Sequence, residues 1–135
     1  MPYKVPFVNI RKHYAAHKKE IDATITDVLT RGDLILRKDL EEFEKRVAKY
    51  VGTKYAVGVN SGFDALHLSL KAIGIKPGDE VITVAHTFVA TFAAIVHNGG
   101  APILIDIKED FNMDADLIEK AITAKTKAII PVHLN

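Results

Sequence analysis

The sequence contains no cysteine among its 135 residues. This absence excludes a disulfide framework and any metal site built on thiolates, and it suits a chain that works in a reducing cytoplasm. Neither sign of charge is in excess, because 18 basic side chains face 17 acidic ones and the formal net charge is +1. Composition therefore favours neither nucleic acid nor an anionic membrane as a partner.

Long apolar runs are also missing. No run approaches the roughly 20 residues that span a membrane, and Met1 is followed by no uninterrupted apolar leader. We therefore expect a soluble chain that is not exported and works in the cytoplasm.

Three familiar site motifs are absent as well. The chain has no G-x-G-x-x-G, no Walker lysine and no H-E-x-x-H, so dinucleotide, P-loop and zinc-protease sites are disfavoured and we expect no metal. His67 and His97 lie in helical patterns and are expected to pack or to face solvent. His86 and His133 follow predicted strands and could line a pocket.

What is present begins with two helical patterns. Apolar residues recur every three or four positions over residues 10–30 and again over 39–50, which predicts two amphipathic helices. The first is expected to end near Arg31-Gly32-Asp33.

From residue 55 onward, short β-rich runs alternate with helical segments. The predicted strands are 55–59, 80–84, 101–106 and 127–132, and the predicted helices between them are 63–73, 88–98 and 115–123. Such alternation is typical of βαβ units and a parallel sheet, so the predicted fold class is α/β.

Ligands of such sheets gather at the carboxyl ends of the strands. The first such end is Asn60-Ser61-Gly62, where glycine allows close backbone approach and a helix start offers free N–H groups that suit a phosphate. The alternative is a plain turn in which Ser61 is only the N-cap of the helix. Asp106 marks a further strand end.

The next strand end is the segment VAHTFVATFAAI. It predicts Thr87 as a helix N-cap and Phe88 in the first helical turn beside the crevice. Phe88 could stack on a flat ring, or it could fill the core beside Phe92.

In their order and spacing, four segments of the chain resemble the DegT-type family of pyridoxal-phosphate-dependent nucleotide-sugar aminotransferases, of the type I aminotransferase fold. The segments are VPFVNIRKHY, GDLILRKDLEEFEKRVAKYVGTKYAVGVNSGFDAL, GIKPGDEVITVAHTFVATFAAIVHNGGAPILIDI and FNMDADLIEKAITAKTKAIIPVHL. The resemblance implies an N-terminal helical segment, residues 1–52, followed by the first part of a cofactor-binding α/β large domain, residues 53–135.

The resemblance also implies roles for particular residues. The turn at Gly62 would cradle the phosphate of pyridoxal 5'-phosphate, mainly through the backbone N–H groups of Phe63 and Asp64, and Phe88 would stack on the pyridine ring. Many relatives have threonine where this chain has Phe63, so a hydroxyl contact is missing. Relatives commonly have Gly-Pro in place of Arg37-Lys38.

By the same resemblance, half of the site lies outside this sequence. The lysine that forms a Schiff base with the cofactor is expected beyond Asn135, so the catalytic residue is unknown and these 135 residues alone are expected to be inactive. The type I sheet order further predicts that strand 55–59 has no partner here, since the strands beside it come later in the chain. We read the chain as part of a longer protein.

The expected activity is transfer of an amino group, from glutamate, to a keto group on a nucleotide-linked sugar. Two alternatives stay open: a sugar dehydratase of the same fold, in which histidine replaces the lysine, and a truncated non-catalytic remnant that binds a partner. A homodimer is implied too. Leu34, Ile35 and Leu36 could contribute to its interface, or they could form a turn against their own domain.

Overall fold

The computed structural model describes residues 5–32 and 34–133, and it has the α/β architecture that the sequence predicts. Met1–Lys4, Asp33 of the predicted helix end, and the last two residues lie outside these ranges. The chain divides into two compact units between Gly58 and Val59. The predicted domains, 1–52 and 53–135, concern the intact protein and stay a prediction.

The first unit contains the two predicted helices, α1 (Ile10–Arg31) and α2 (Lys38–Val51). The Asn9 side chain accepts a hydrogen bond from the backbone N–H of Lys12 and so caps the start of α1. Gly32 and Gly52 end the helices in the left-handed conformation that glycine adopts without strain. Both helices therefore begin and end within two residues of their predicted positions.

The predicted strand at 55–59 does not form, and none of these residues pairs with another strand in the described part of the chain. A strand needs a partner for its backbone groups, and the predicted neighbours are not in this sequence. The Gly58 N–H instead donates to Glu44 Oε1 at 2.6 Å.

The second unit is built on a three-stranded parallel sheet of β1 (Glu80–Val84), β2 (Ala101–Ile105) and β3 (Thr126–Ile129), in the order β2-β1-β3. The central strand β1 is buried on both faces, as expected for a parallel strand covered by helices. A core lies between the sheet and its helices, made of Leu70, Ile75, Val81, Ala94 and Ile95. The fold prediction is confirmed.

One helix precedes the first strand, and two helices connect the strands that follow. They are α3 (Gly62–Ala72), α4 (Ala90–His97) and the short α5 (Ile118–Ala121), which continues a 3-10 turn at Ala115–Leu117. In the described residues, no helix is both long and apolar enough to cross a bilayer.

The predicted start of α4 is wrong by two residues. Thr87 is not its N-cap, because the helix begins at Ala90 after Val89, which makes no side-chain cap. The Thr87 hydroxyl is instead hydrogen-bonded to the hydroxyl of Thr91 at 2.9 Å. Phe88 consequently lies in the loop before the helix and not in its first turn.

Candidate functional site

The start of α3 is capped by Ser61, the role that the sequence offered as an alternative to an anion site. Ser61 Oγ accepts a hydrogen bond from the backbone N–H of Asp64 at 3.0 Å, and its hydroxyl lies 2.9 Å from Asp64 Oδ2, to which it donates. This reciprocal pair satisfies one of the unpaired N–H groups of a helix start. Ser61 is thus an N-cap, whether or not an anion also binds.

Gly62 stands in open space at the first position of α3. A Cβ built there would meet no atom within 4 Å, and the residue is not among those with positive φ. Neither its neighbours nor its conformation therefore requires glycine within this chain. The missing side chain leaves room for a ligand to approach the helix start.

Two backbone donors at this helix start have no protein acceptor in the described residues, namely the N–H groups of Gly62 and Phe63. They lie at the positive end of an 11-residue helix, where anions are stabilised. The N–H of Asp64 already donates to Ser61 Oγ, so its predicted contact with a phosphate would have to share that hydrogen bond.

The side chain of Phe63 turns away from this open space. Its ring is stacked on His67, with centroids 5.7 Å apart, and it meets His97 edge-on at 5.6 Å. It also packs against the core below α3 and α4. Only the backbone of Phe63 is therefore available at the helix start.

The two helical histidines either pack or face solvent, as predicted. His67 is half-buried, and its Nδ1 lies 3.0 Å from the side-chain nitrogen of Asn98, which also donates to the carbonyl of Ala94 at 2.8 Å. His97 is exposed and borders the ring of Phe63. These contacts join α3 to α4 beneath the candidate site.

Phe88 lies at the carboxyl end of β1 and is 75% exposed. The alternative in which it fills the core is therefore wrong for this chain, and the neighbouring Phe92 is the half-buried one. The carbonyl of Phe88 accepts a hydrogen bond from the N–H of Thr91 at 3.1 Å, so its backbone is held at the start of α4. Its contact with a cofactor ring stays a prediction.

The remaining strand ends show fewer features of a ligand site. Asp106 Oδ1 accepts from the N–H of Ile107 at 2.8 Å, and His133 is exposed. His86 is stacked on Phe111, with ring centroids 5.6 Å apart. Sequence reasoning missed Phe111, because nothing in its local pattern relates it to a histidine 25 positions earlier.

Resolved pKa shifts lie away from the helix start, on exposed side chains. Hydrogen bonds from Lys108 Nζ lower the pKa of Asp116, and the same hydrogen bonds, with those to Asp114, raise the pKa of Lys108. Across residues 5–32 and 34–133, no group of three or more histidine, aspartate or glutamate side chains is placed to hold a metal ion.

Three curated relatives match nearly the whole chain. It is 46% identical over 132 residues to the dTDP-3-amino-3,4,6-trideoxy-alpha-D-glucose transaminase of Streptomyces venezuelae, covering 97% of this chain and 35% of that protein. It is 43% identical over 131 residues to the UDP-2-acetamido-2-deoxy-3-oxo-D-glucuronate aminotransferase of Pseudomonas aeruginosa, covering 96% and 36%. It is 43% identical over 133 residues to the 3-oxo-glucose-6-phosphate:glutamate aminotransferase of Bacillus subtilis, covering 97% and 30%.

Solved structures also match nearly the whole chain. DesV of S. venezuelae, in complex with a ketimine intermediate, superposes with a TM-score of 0.92 at 45% identity, covering 98% of this chain and 36% of that one. NtdA of B. subtilis with bound cofactor PMP superposes with a TM-score of 0.89 at 41% identity, covering 99% of this chain and 31% of that one. A putative sugar aminotransferase of Streptococcus pneumoniae in its PLP form superposes with a TM-score of 0.78 at 38% identity, covering 99% of this chain and 32% of that one.

The chain spans about a third of the length of these relatives. Over that third, the type I aminotransferase fold and the resemblance inferred from the sequence are confirmed. The model of the DegT/DnrJ/EryC1/StrS aminotransferase family matches residues 15–135, and this chain belongs to that family.

Proposed function

We propose that the intact protein is a pyridoxal-phosphate-dependent aminotransferase that moves the amino group of glutamate onto a keto sugar carried by a nucleotide. The observation that carries the proposal is 46% identity, over nearly the whole chain, to a dTDP-sugar transaminase. Neighbouring structures named for PMP and PLP support the cofactor, and a relative named for glutamate supports the donor. None of the three relatives above is named as a dehydratase.

The residues at the start of α3 fit the phosphate of this cofactor. Free N–H groups of Gly62 and Phe63, with open space beside Gly62, form an anion cradle at a helix N-terminus. Phe88 presents an exposed ring at the carboxyl end of β1, where it would stack on the flat pyridine ring. When bound, the cofactor supplies the electron sink for the transfer.

In this proposal the described residues bind and orient, and the Schiff-base lysine comes from beyond Asn135. Inactivity of the 135 residues alone and a cytoplasmic location stay predictions. In the transfer, glutamate loses its amino group, takes an oxygen atom from water and becomes a 2-oxo acid. The sugar carbonyl carbon gains the amino group and loses its oxygen as water, so the two exchanges balance.

The proposal includes a homodimer. Leu34, Ile35 and Leu36 are 65%, 76% and 78% exposed, and Leu36 adopts a positive φ of 47° that is strained for a branched side chain. Three consecutive exposed aliphatic residues suit an isologous contact better than a turn packed on its own unit.

Cofactor binding and transfer are tested together on the full-length protein. We expect pyridoxal phosphate to bind with a new visible absorption band, and the band to change when glutamate is added. Formation of 2-oxoglutarate beyond one equivalent per enzyme should then require a keto sugar, offered in separate reactions as a dTDP-linked, a UDP-linked and a 6-phosphate form. No band and no response to glutamate would refute the proposal. Release of water from the sugar without amination would identify a dehydratase.

Substitution at the helix start examines the phosphate assignment. Gly62→Val should raise the Kd for pyridoxal phosphate about tenfold or more, equivalent to about 1.4 kcal/mol, because branched carbons would fill the cradle. Ala65→Val, at an exposed position of the same helix, is the matched control and should leave the Kd unchanged. Equal affinity in both variants would remove the assignment.

A separate measurement tests the proposed dimer. Ile35→Glu should shift the full-length protein from dimer to monomer in analytical ultracentrifugation, because a buried unpaired charge is costly. Its circular dichroism should stay unchanged. A dimer that persists in this variant would place the interface elsewhere.

A further inference from the structure

Phe111 has a backbone conformation that phenylalanine rarely adopts. Its φ is +64°, in the left-handed region that favours glycine or asparagine. It sits in a closed turn, since its N–H donates to the carbonyl of Lys108 and the N–H of Lys108 donates to the carbonyl of Asn112, both at 2.9 Å. Such strain persists where the side chain has a use, and it is concentrated at functional sites.

The turn folds Phe111 back over the carboxyl end of the sheet. An antiparallel bridge between Ile107 and Met113 closes the hairpin that follows β2. From there the ring of Phe111 reaches His86, just after the neighbouring strand β1, and stacks on it with centroids 5.6 Å apart and planes at 27°. This is an ordinary aromatic stacking geometry.

The loop between β1 and α4 is held from its other side by α4. The N–H of Thr87 donates to the carbonyl of Ala85 at 2.9 Å, and the Thr87 hydroxyl is bonded to the buried Thr91. Thr91 also donates its N–H to the carbonyl of Phe88. The loop is thus anchored on both sides, while the side chain of Phe88 is left exposed.

We infer that Phe111 is a positioning residue, whose ring packs on His86 and holds the loop at 85–89 so that Phe88 is presented to the cofactor ring. The inference rests on the proposed function. Phe111 itself touches no cofactor in this account and acts through the loop.

The experiment is a titration of the full-length protein with pyridoxal phosphate, followed by absorbance and by the circular dichroism of the bound cofactor. Phe111→Gly should raise the Kd roughly two- to tenfold, the range expected for loss of one aromatic pair. It should not lower the Tm of the cofactor-free protein, because glycine relieves the strain at positive φ. Phe111→Tyr keeps a ring and should bind as the wild type does. Phe43→Ala removes another exposed ring, on α2, and should not change the Kd.

A double-mutant cycle separates positioning from general support of the site. In a Phe88→Ala background, Phe111→Gly should have no further effect on the Kd, because its route to the cofactor is gone. Equal Kd for Phe111→Gly and the wild type, or additive losses in the double variant, would overturn the inference while the proposed function stands. A wild type that binds no pyridoxal phosphate would refute the proposed function itself.

Discussion

Helix α1 and strand β1 differ sharply in burial. None of the 22 residues of α1 is buried, whereas four of the five residues of β1 are. The helix relies on local interactions such as its Asn9 cap and the ion pair of Lys18 with Asp22, to which Tyr14 Oη also donates at 2.7 Å. In proteins most helical stability comes from packing of an apolar face, and no residue of α1 is buried, whereas apolar burial stabilises the sheet directly. The two units should therefore respond differently to the same chemical change.

The largest difference should appear on truncating one isoleucine in each unit. Ile95 of α4 is fully buried in the core, so Ile95→Ala should lower the free energy of unfolding by about 2–5 kcal/mol. Ile25 is half-exposed on α1, and Ile25→Ala should change the free energy of unfolding by about 0.5 kcal/mol or less. Denaturant unfolding followed by circular dichroism measures both. Similar losses in the two variants would show that α1 is buried in the intact protein.

A smaller difference is expected from the two helix caps, which use the same chemistry. Ser61→Ala should cost about 1 kcal/mol of global stability, because α3 packs on the core and its first turn forms together with it. Asn9→Ala should fray only the first turn of α1. Hydrogen exchange at Asp64 and Lys12 distinguishes the two responses, and Ser61→Thr should restore the cap. Global destabilisation by Asn9→Ala would contradict this contrast.

The smallest effect belongs to the exposed ion pair of Lys108 and Asp116, whose Nζ and Oδ2 lie 2.8 Å apart. The pKa of Asp116 is lowered in the folded chain, so the stability it adds is present above its ordinary value of 3.8 and is lost as pH falls below that value. The pKa of Lys108 is raised, so the stability that Lys108 adds is present below its ordinary value of 10.5 and is lost as pH rises above that value. Lys108→Met should flatten the acid limb of the pH–stability curve slightly, and an unchanged limb would show that the pair contributes nothing.

Helix and strand positions were predictable wherever the signals are local. The Ser61 cap of α3 and the end of α1 at Gly32 could be read from local residue types in the sequence. The start of α4 was not predictable in this way. Thr87 looks like a cap, but its hydroxyl is engaged by Thr91 on the same helix, so the helix begins later.

The candidate site was predictable in part. The sequence pattern placed Gly62 and Phe88 each after a predicted strand, and the structure leaves both open to solvent. The pattern did not indicate that the N–H of Asp64 donates a hydrogen bond to Ser61. It also did not indicate that the ring of Phe63 packs between α3 and α4. Both facts depend on side-chain directions that spacing along the chain does not specify.

The sequence by itself determined the fold class, the order of helices and strands and the family, because hydrophobic period, caps and turn residues act over a few positions. Only the tertiary structure decided that the ring of Phe63 meets His97, that Phe88 faces solvent and that Phe111 reaches His86. Each of these depends on whether a segment distant in sequence is present and where it packs. Local propensity carries no information about such partners, since pairing and burial are properties of the assembled sheet.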